Sequence, residues 1–195
     1  MTETQTVSLR ERTRRAVHDE LVAVAQRLIL EQGYDEVTVE RIAEAAGLSK
    51  RSFFRYFPTK DAVLLGQFDH FATTVRRALE DRPDSEPVWS SLRRMFDPVA
   101  ADVETRSDDA HALQGIIEST PSLNGGYLAA LDRMQIEVAA AIAERAKTEG
   151  LDTLETRALV GSAFACLHAA LSAHRRDSAS DLGELVDRAM TAVRA

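Results

Sequence analysis

The stretch Thr38–Phe57, TVERIAEAAGLSKRSFFRYF, determines how the first part of this chain folds. Apolar residues at helical spacing predict a short helix after Thr38, and Gly47 ends it at a position that needs a positive φ. Ser49 can cap a second helix, predicted from Lys50 to Phe57, which Pro58 cannot continue. Two short helices joined by such a turn form a helix-turn-helix, whose second helix can lie in the major groove of DNA.

Helical spacing continues on both sides of this stretch. Upstream it predicts a helix that begins near a capping box at Ser8 and ends at Gly33, and downstream a long helix after the Thr59 cap. Beyond the turn cluster at 83–87 we expect five more helices, and Pro98 should kink or shorten the first of them. These five lie near 88–103, 107–118, 122–148, 152–175 and 179–194. The predicted fold class is therefore all-α, with about nine helices.

Composition excludes several classes of protein. A single cysteine, Cys166, excludes an internal disulfide framework and a multi-cysteine zinc site. The N-terminus carries no apolar signal segment, and the longest apolar stretch, Ala158–Ala173, is too short to span a bilayer. We therefore expect a cytoplasmic protein that has no membrane partner and binds neither a metal nor a cofactor.

Charge is distributed unevenly along the 195 residues. The net charge is −7, made up of +1 in residues 1–60 and −8 in the remainder. Basic residues in the first part fall into clusters: Arg10, Arg12, Arg14 and Arg15; Lys50, Arg51 and Arg55; and Lys60. Local clusters of this kind can bind a polyanion despite an acidic whole. An arginine such as Arg51 can bind guanine O6 and N7 with two hydrogen bonds.

The residues around the helix-turn-helix resemble the N-terminal domain of TetR-family transcriptional regulators. The similarity runs through Gly33-Tyr34, Thr38–Ala43, Ala46–Ser49, Ser52–Phe57 and Lys60, and it covers about residues 14–75. It implies a three-helix DNA-binding domain followed by a helical domain that dimerises and binds a small ligand. We therefore expect a flexible basic arm and helix start at 1–13, the DNA-binding domain at 14–75, and a ligand-binding and dimerisation domain at 76–195.

The resemblance also implies roles for single residues. Lys50, Arg51 and Ser52 would face the major groove, while Thr38, Tyr56 and Lys60 would contact phosphates. Ser49 and Arg55 complete the predicted DNA-binding set. The side chains expected to fix the angle between the two helices are Ile42, Ala43, Leu48, Phe53 and Phe57. Phe54 departs from the family, which often has a tyrosine there, so one phosphate-bonding hydroxyl is missing.

The last two predicted helices suit dimerisation. Small residues recur on one face of the first of them, at Ala158, Ser162, Ala165, Ala169 and Ser172, and would allow close approach of another helix. With the last helix it can form a four-helix bundle across a two-fold axis. A purely intrachain core is the alternative. A two-fold dimer predicts a palindromic operator with half-sites about one DNA turn, or a multiple of it, apart.

A ligand cavity between the helices is a further expectation. Its candidate lining is apolar apart from one histidine, and consists of Phe68, Phe71, Trp89, Phe96, Ile117, Tyr127, Met134, Phe164 and His168. Such a lining favours a small, largely apolar effector, although each of these residues could simply be core. The sequence thus predicts a homodimeric repressor released from operator DNA by that effector.

Three alternatives compete with this interpretation. An enzyme lacks support because no HExxH, Gly-rich phosphate loop or GxSxG elbow occurs, and Cys166 lies in an apolar run that disfavours a thiolate. A helical protein-interaction module that no longer reads DNA is opposed by Lys50, Arg51 and Lys60. A DNA-binding regulator without a small-molecule ligand stays open.

Overall fold

The computed structural model describes residues 9–104, 108–177 and 179–194. Within them the chain forms twelve α-helices and no strand, which confirms the all-α prediction. The helices are α1 Leu9–Gln32, α2 Val39–Ala45, α3 Lys50–Phe53, α4 Lys60–Leu65, α5 Gln67–Glu80, α6 Val88–Arg94, α7 Asp97–Glu104, α8 Asp108–Ser119, α9 Pro121–Ala141, α10 Ala143–Thr148, α11 Thr153–His174 and α12 Leu182–Arg194. None of the helices in the described segments has the length and apolar character needed to cross a membrane.

Three helices that the sequence predicts as continuous are each interrupted. The long helix predicted after Thr59 breaks at Gly66 into α4 and α5. The helix predicted near 122–148 breaks at Ile142 into α9 and α10. The predicted helix 88–103 breaks into α6 and α7 because Pro98 has no N–H to donate to the carbonyl of Arg94. The shortening expected at Pro98 is therefore confirmed, while the other two interruptions were not predicted.

The predicted helix caps are largely confirmed. The side chains of Thr38, Ser49 and Thr59 each accept a backbone N–H from the first turn of the following helix, and Asp152 forms a capping box with Glu155. Asp181 caps α12, which begins three residues later than predicted. The capping box expected at Ser8, like most of the predicted arm, lies outside the described residues.

The chain divides into two compact units. The first contains the described part of Met1–Gln67 together with Ala112–Asn124, and the second contains Phe68–His111 and Gly125–Ala195. In the first unit α1 packs against α2 and α4, and α2 packs against α3. Its core includes Leu21, Ala25, Ile29, Ile42, Phe53, Val63 and Leu64, each of which has 0% relative exposure.

The second unit is built around α11. Helix α11 packs against α12, α6 and α10, and α12 packs in turn against α6 and α7. Phe96 and Phe164 meet edge to face in this core, with ring centroids 5.4 Å apart. The hairpin of α11 and α12 is closed by the buried His174, whose Nδ1 lies 2.8 Å from the carbonyl oxygen of Ser180.

A polar network fixes the loop between α5 and α6. Arg82 donates two hydrogen bonds, of 2.7 and 2.8 Å, to the carboxylate of Glu86. The buried Ser91 hydroxyl donates to the same carboxylate and accepts from Arg145. The loop is thereby tied to α6 and α10 through side-chain hydrogen bonds, although Nε of Arg145 is buried and has no hydrogen-bond partner among the described residues.

Candidate nucleic-acid interface

The turn between α2 and α3 has the geometry that a helix-turn-helix needs. Gly47 has φ +67°, its N–H donates to Glu44, and the N–H of Leu48 donates to Ala43 over 2.8 Å. This pair of bonds is a Schellman motif, which ends a helix with a residue in the left-handed region. Ile42, Ala43, Phe53 and Phe57 are buried, and Leu48 is half-buried, so these five side chains occupy the helix–helix contact that was expected of them.

Helix α3 is shorter than the sequence predicts. It spans Lys50–Phe53, and Tyr56 and Phe57 continue as a turn whose N–H groups both donate to the carbonyl of Phe53. Ser49 caps it by accepting from the N–H of Ser52 at 3.1 Å, and its own hydroxyl donates to the Ser52 hydroxyl. Thr38 likewise caps α2, accepting from the N–H of Arg41 at 3.3 Å. Three residues of the predicted DNA-binding set thus position the helix ends.

Lys50, the first residue of α3, has an acidic partner within the chain. The Lys50 ammonium donates to Glu40 Oε1 on α2, in an ion pair whose two side chains are both more than half exposed. The hydrogen bond from Lys50 holds the pKa of Glu40 below its ordinary value. Lys50 Nζ also lies 5.9 Å from the centre of the Phe54 ring. Sequence reasoning missed Glu40, because nothing in a linear pattern brings position 40 to position 50.

The neighbouring arginines, Arg51 and Arg55, are less restrained by the rest of the chain than Lys50. Arg51 is exposed and has no ion pair within the described residues, so its five guanidinium donors are available to an outside acceptor. Arg55 is exposed and stacks its guanidinium 5.3 Å from the centre of the half-buried Tyr56 ring. Phe54 stands 46% exposed beside them, an unusual setting for a phenylalanine.

Lys60 is placed differently from the expected phosphate contact. Its ammonium donates to the carbonyls of Tyr34 and Val37 at 2.6 and 2.8 Å and lies 3.8 Å from the centre of the Tyr34 ring. The residue is half-buried. An ammonium has three donors, so one N–H is left for a phosphate while the other two hold the loop between α1 and α2.

Tyr34 completes this cluster. Its hydroxyl donates to Asp61, and Ser122 at the start of α9 hydrogen bonds to it as well. Burial and the bond to Asp61 raise the pKa of Tyr34 to about 12. The cluster of Tyr34, Lys60, Asp61 and Ser122 joins the loop before α2, the first turn of α4 and the first turn of α9 within the first unit.

The predicted arm residues lie on a regular helix. Arg10, Arg12, Arg14 and Arg15 belong to the first two turns of α1, and all four are exposed. A helix distributes these side chains around its axis, so they point in several directions rather than along one extended basic strand. Whether they contact a minor groove or phosphates of DNA stays a prediction.

The predicted ligand-pocket residues do not share one environment. Ile117 is buried in the first unit, and Phe96, Tyr127, Met134 and Phe164 are buried in the second. Phe68 and Tyr127 stack with ring centroids 4.7 Å apart, and Phe68, Phe71 and Trp89 are half-buried. His168 is exposed on α11, on the same face as Ala165 and Ala169, and so does not share the buried setting of Phe96, Tyr127, Met134 and Phe164.

Chemistry of other kinds finds little support in the described residues. No group of three or more histidine, cysteine or acidic side chains there could hold a metal ion. Cys166 is buried, and that burial raises the pKa of its thiol, which disfavours a nucleophilic thiolate.

The geometry just described defines the class of helix-turn-helix proteins, and comparison with known proteins defines the family. Residues 21–66 match the family described as bacterial regulatory proteins, tetR family, and residues 86–195 match the family described as MftR C-terminal domain. The chain is similar to the HTH-type transcriptional regulator TcmR of Streptomyces glaucescens, 35% identical over 74% of this chain and 65% of that protein. It is also similar to the regulator EthR of Mycolicibacterium smegmatis, 27% identical over 69% of this chain and 63% of that protein.

The matched region thus spans just under two thirds of the length of these curated relatives. Among solved structures, the chain resembles Thermus thermophilus FadR in complex with lauroyl-CoA, with a TM-score of 0.60, 20% identity, and coverage of 89% of this chain and 91% of that one. This likeness concerns the fold. The chain belongs to the TetR family of transcriptional regulators, a family of DNA-binding proteins rather than enzymes.

Proposed function

We propose that the chain acts as a homodimeric repressor that reads a palindromic operator with α3 and is released by a small, largely apolar ligand. The observation that carries the DNA-reading part is the capped helix α3, which follows the Schellman turn and begins with Lys50 and with Arg51, which is exposed and has no ion pair among the residues that the structure describes. A short helix held by buried Ile42 and Phe53 can present these cations to a groove without a change in the angle between α2 and α3.

The proposed dimer rests on the outer face of α11. Ala158, Ala165 and Ala169 are exposed on α11, and the exposed His168 lies next to Ala165 and Ala169 on the same helix. Small side chains let a second helix approach closely, and such a face loses little conformational entropy when it is covered. A groove of about 680 Å³ between α11 and α12, lined largely by alanine, gives a second copy further surface to bury.

The proposed effector follows from the apolar interior of the second unit. Its core contains aromatic rings, Phe96, Phe164 and Tyr127, that a partly apolar ligand could contact after a rearrangement of helices. Crystals of Thermus thermophilus FadR contain lauroyl-CoA, which supports a small-molecule effector for a fold of this kind. A ligand releases operator DNA only when it binds the non-binding arrangement of the dimer more tightly.

Selection of binding sites from a random duplex library tests the DNA-reading part. We expect the purified protein to enrich a symmetric site whose half-sites lie about one DNA turn, or a multiple of it, apart. On that site, Arg51→Ala should cost about 1–3 kcal/mol and relax the preference at one base pair of each half-site. Arg77→Ala on α5, an exposed arginine of the second unit, is the matched control and should bind like the wild type.

Three outcomes would each contradict one part of the proposal. An equal loss on all sequences after Arg51→Ala would remove Arg51 from base reading. A monomer in sedimentation equilibrium at the concentration that saturates the operator would remove the dimer. The effector part fails if the operator complex survives a panel of uncharged apolar compounds at their solubility limits.

A further inference from the structure

A cavity of about 580 Å³ lies between α6 and α12 in the second unit. Its volume is within the range of about 300–1,000 Å³ that is usual for small-molecule sites. Trp89 and Met190 supply apolar surface, Arg93, Arg94 and Arg194 supply cations, and Asp187 supplies a single acid. The local excess of positive charge contrasts with the acidic remainder of residues 61–195.

One arginine forms a fixed wall of this cavity. Arg93 donates from Nε and Nη2 to the two carboxylate oxygens of Asp187, and from Nη1 to Asp97. Nη2 also reaches the carbonyl of Gly183 at 3.1 Å. These bonds join α6 to α12 and engage both oxygens of the Asp187 carboxylate. Arg93 thereby offsets the charge of the one acid in the lining, so that this acid repels a bound anion less.

Neither of the other two arginines donates a hydrogen bond to a carboxylate of the described residues, although Arg94 forms two long ion pairs. Arg94 has its nearest carboxylates at 3.7 Å, on Glu86, and 4.0 Å, on Asp97, and both separations are too long for a hydrogen bond. Arg194 has no ion pair in the part of the chain that the structure describes, and its side chain is exposed. Two guanidinium groups with spare donors thus border the same cavity, which is an arrangement suited to a carboxylate or another small oxyanion.

The apolar part of the lining lies between these cations. Trp89 is half-buried and packs against the core of the unit, and Met190 is 2% exposed. We propose that the cavity binds a small organic anion, whose charged group pairs with Arg94 and Arg194 while its apolar body lies against Trp89. This site shares Trp89 with the cavity lining expected from the sequence, but none of Phe96, Phe164 and Tyr127 lines it.

The proposed site borders the proposed dimer surface along α12. Leu182, Val186 and Met190 point to the core. Asp187 and Thr191 line both the cavity and the groove beside α11, whereas Trp89, Arg94 and Arg194 line the cavity alone. The residues that we propose to hold the ligand therefore lie outside the groove assigned to a second copy.

Trp89 is the only tryptophan in the chain, so its fluorescence reports on this cavity directly. The test titrates the full chain, without DNA, with 4-phenylbutyrate and with its uncharged amide. We expect saturable quenching or a shift of emission with the carboxylate, and at least tenfold weaker binding of the amide. The double variant Arg94→Gln, Arg194→Gln should weaken carboxylate binding at least tenfold, whereas Arg188→Gln should leave it unchanged.

Three results would overturn the proposal: no fluorescence change up to the solubility limit of the probe, equal binding of acid and amide, or undiminished binding by the double variant. The comparison of acid with amide uses the wild-type chain, so it does not depend on how well a variant folds. Because no DNA is present, a negative result leaves the operator proposal untouched, and failure of operator selection leaves this one untouched.

Discussion

Glu40 on α2 and Lys50 on α3 form an ion pair across the helix-turn-helix. Of the two cations at the start of α3, Lys50 and Arg51, the first is therefore already paired within the chain. In the proposed complex with DNA, a base or a phosphate would compete with Glu40 for Lys50. The Glu40 carboxylate would lie close to the bound polyanion and would oppose binding of any duplex. A correct base would have to offer Lys50 an acceptor good enough to replace Glu40.

Glu40→Gln should tighten binding to random duplex several-fold at low salt, because it removes a negative charge from the interface and frees Lys50 for phosphate. Binding to the selected operator should tighten less, so the ratio of operator to random affinity should fall. Fluorescence anisotropy with both duplexes at two salt concentrations measures this. Glu44→Gln, an exposed glutamate on the same helix, is the control. Unaltered binding to random duplex would show that Glu40 does not restrain Lys50.

Lys60→Met should lower stability rather than act on DNA alone, because the carbonyls of Tyr34 and Val37 lose a charged donor. We expect a loss of about 2 kcal/mol in the free energy of unfolding by urea. Lys50→Met, which removes an exposed ion pair, should change this free energy little. If Lys60→Met keeps wild-type stability but reduces the salt slope of DNA binding by about 1, the phosphate role expected from sequence holds instead.

Most helix boundaries could be predicted from local signals in the sequence. Thr38, Ser49 and Thr59 cap helices, and Gly33 and Gly47 take positive φ, because capping and left-handed turns depend on neighbours within four residues. The break at Ile142 has no comparable local cause: the residue is apolar and buried, and no proline or glycine adjoins it. Interruptions of this kind arise from packing between distant segments, which periodicity does not encode.

The site was predictable in its residue types but not in its pairings. An exposed Arg51 follows from helical position alone, since the opposite side of α3 carries the apolar Phe53. Lys60 has donors that satisfy a phosphate or a backbone carbonyl equally well, so the sequence could not distinguish them. Glu40 and Lys50 are ten residues apart, and only the angle between two helices brings them together.

Tyr34 should make the chain more sensitive to alkali. Its folded pKa of about 12 lies above the ordinary value of 10.0, so the neutral hydroxyl stabilises the fold fully below pH 10 and this contribution is lost as the pH rises toward 12. Urea unfolding of the wild type between pH 8 and about 11 should show this decline, and Tyr34→Phe should show a shallower one. A decline of equal steepness in both proteins would exclude Tyr34 as its cause.

Glu86→Gln should destabilise the second unit by about 1–3 kcal/mol, because Arg82 and Ser91 lose a charged acceptor. The bond from Arg82 holds the pKa of Glu86 below its ordinary 4.5, so the contribution of Glu86 is present above that pH and is lost as the pH falls toward the lower folded value. Thermal unfolding at pH 7 and pH 4 tests both statements. Glu80→Gln, which breaks the exposed pair with Arg76, serves for comparison and should have an effect below about 1 kcal/mol.

Ala165→Glu should turn the proposed dimer into a monomer, because each copy would bring a charge into a close-packed helix contact. Sedimentation equilibrium measures the mass, and operator affinity should fall together with it. The change is on an exposed position, so circular dichroism should stay that of the wild type. Arg157→Glu, at an exposed position nearer the start of α11, is the matched control. A dimer that survives Ala165→Glu would place the interface elsewhere.

The contact of His174 with the carbonyl of Ser180 has a consequence for the proposed dimer. It closes the turn of the α11–α12 hairpin from inside and so restrains the crossing of these two helices. The choice of a partner subunit would then depend on outward side chains such as Ala165 and Arg188, and single surface replacements could alter that choice while the hairpin keeps its geometry.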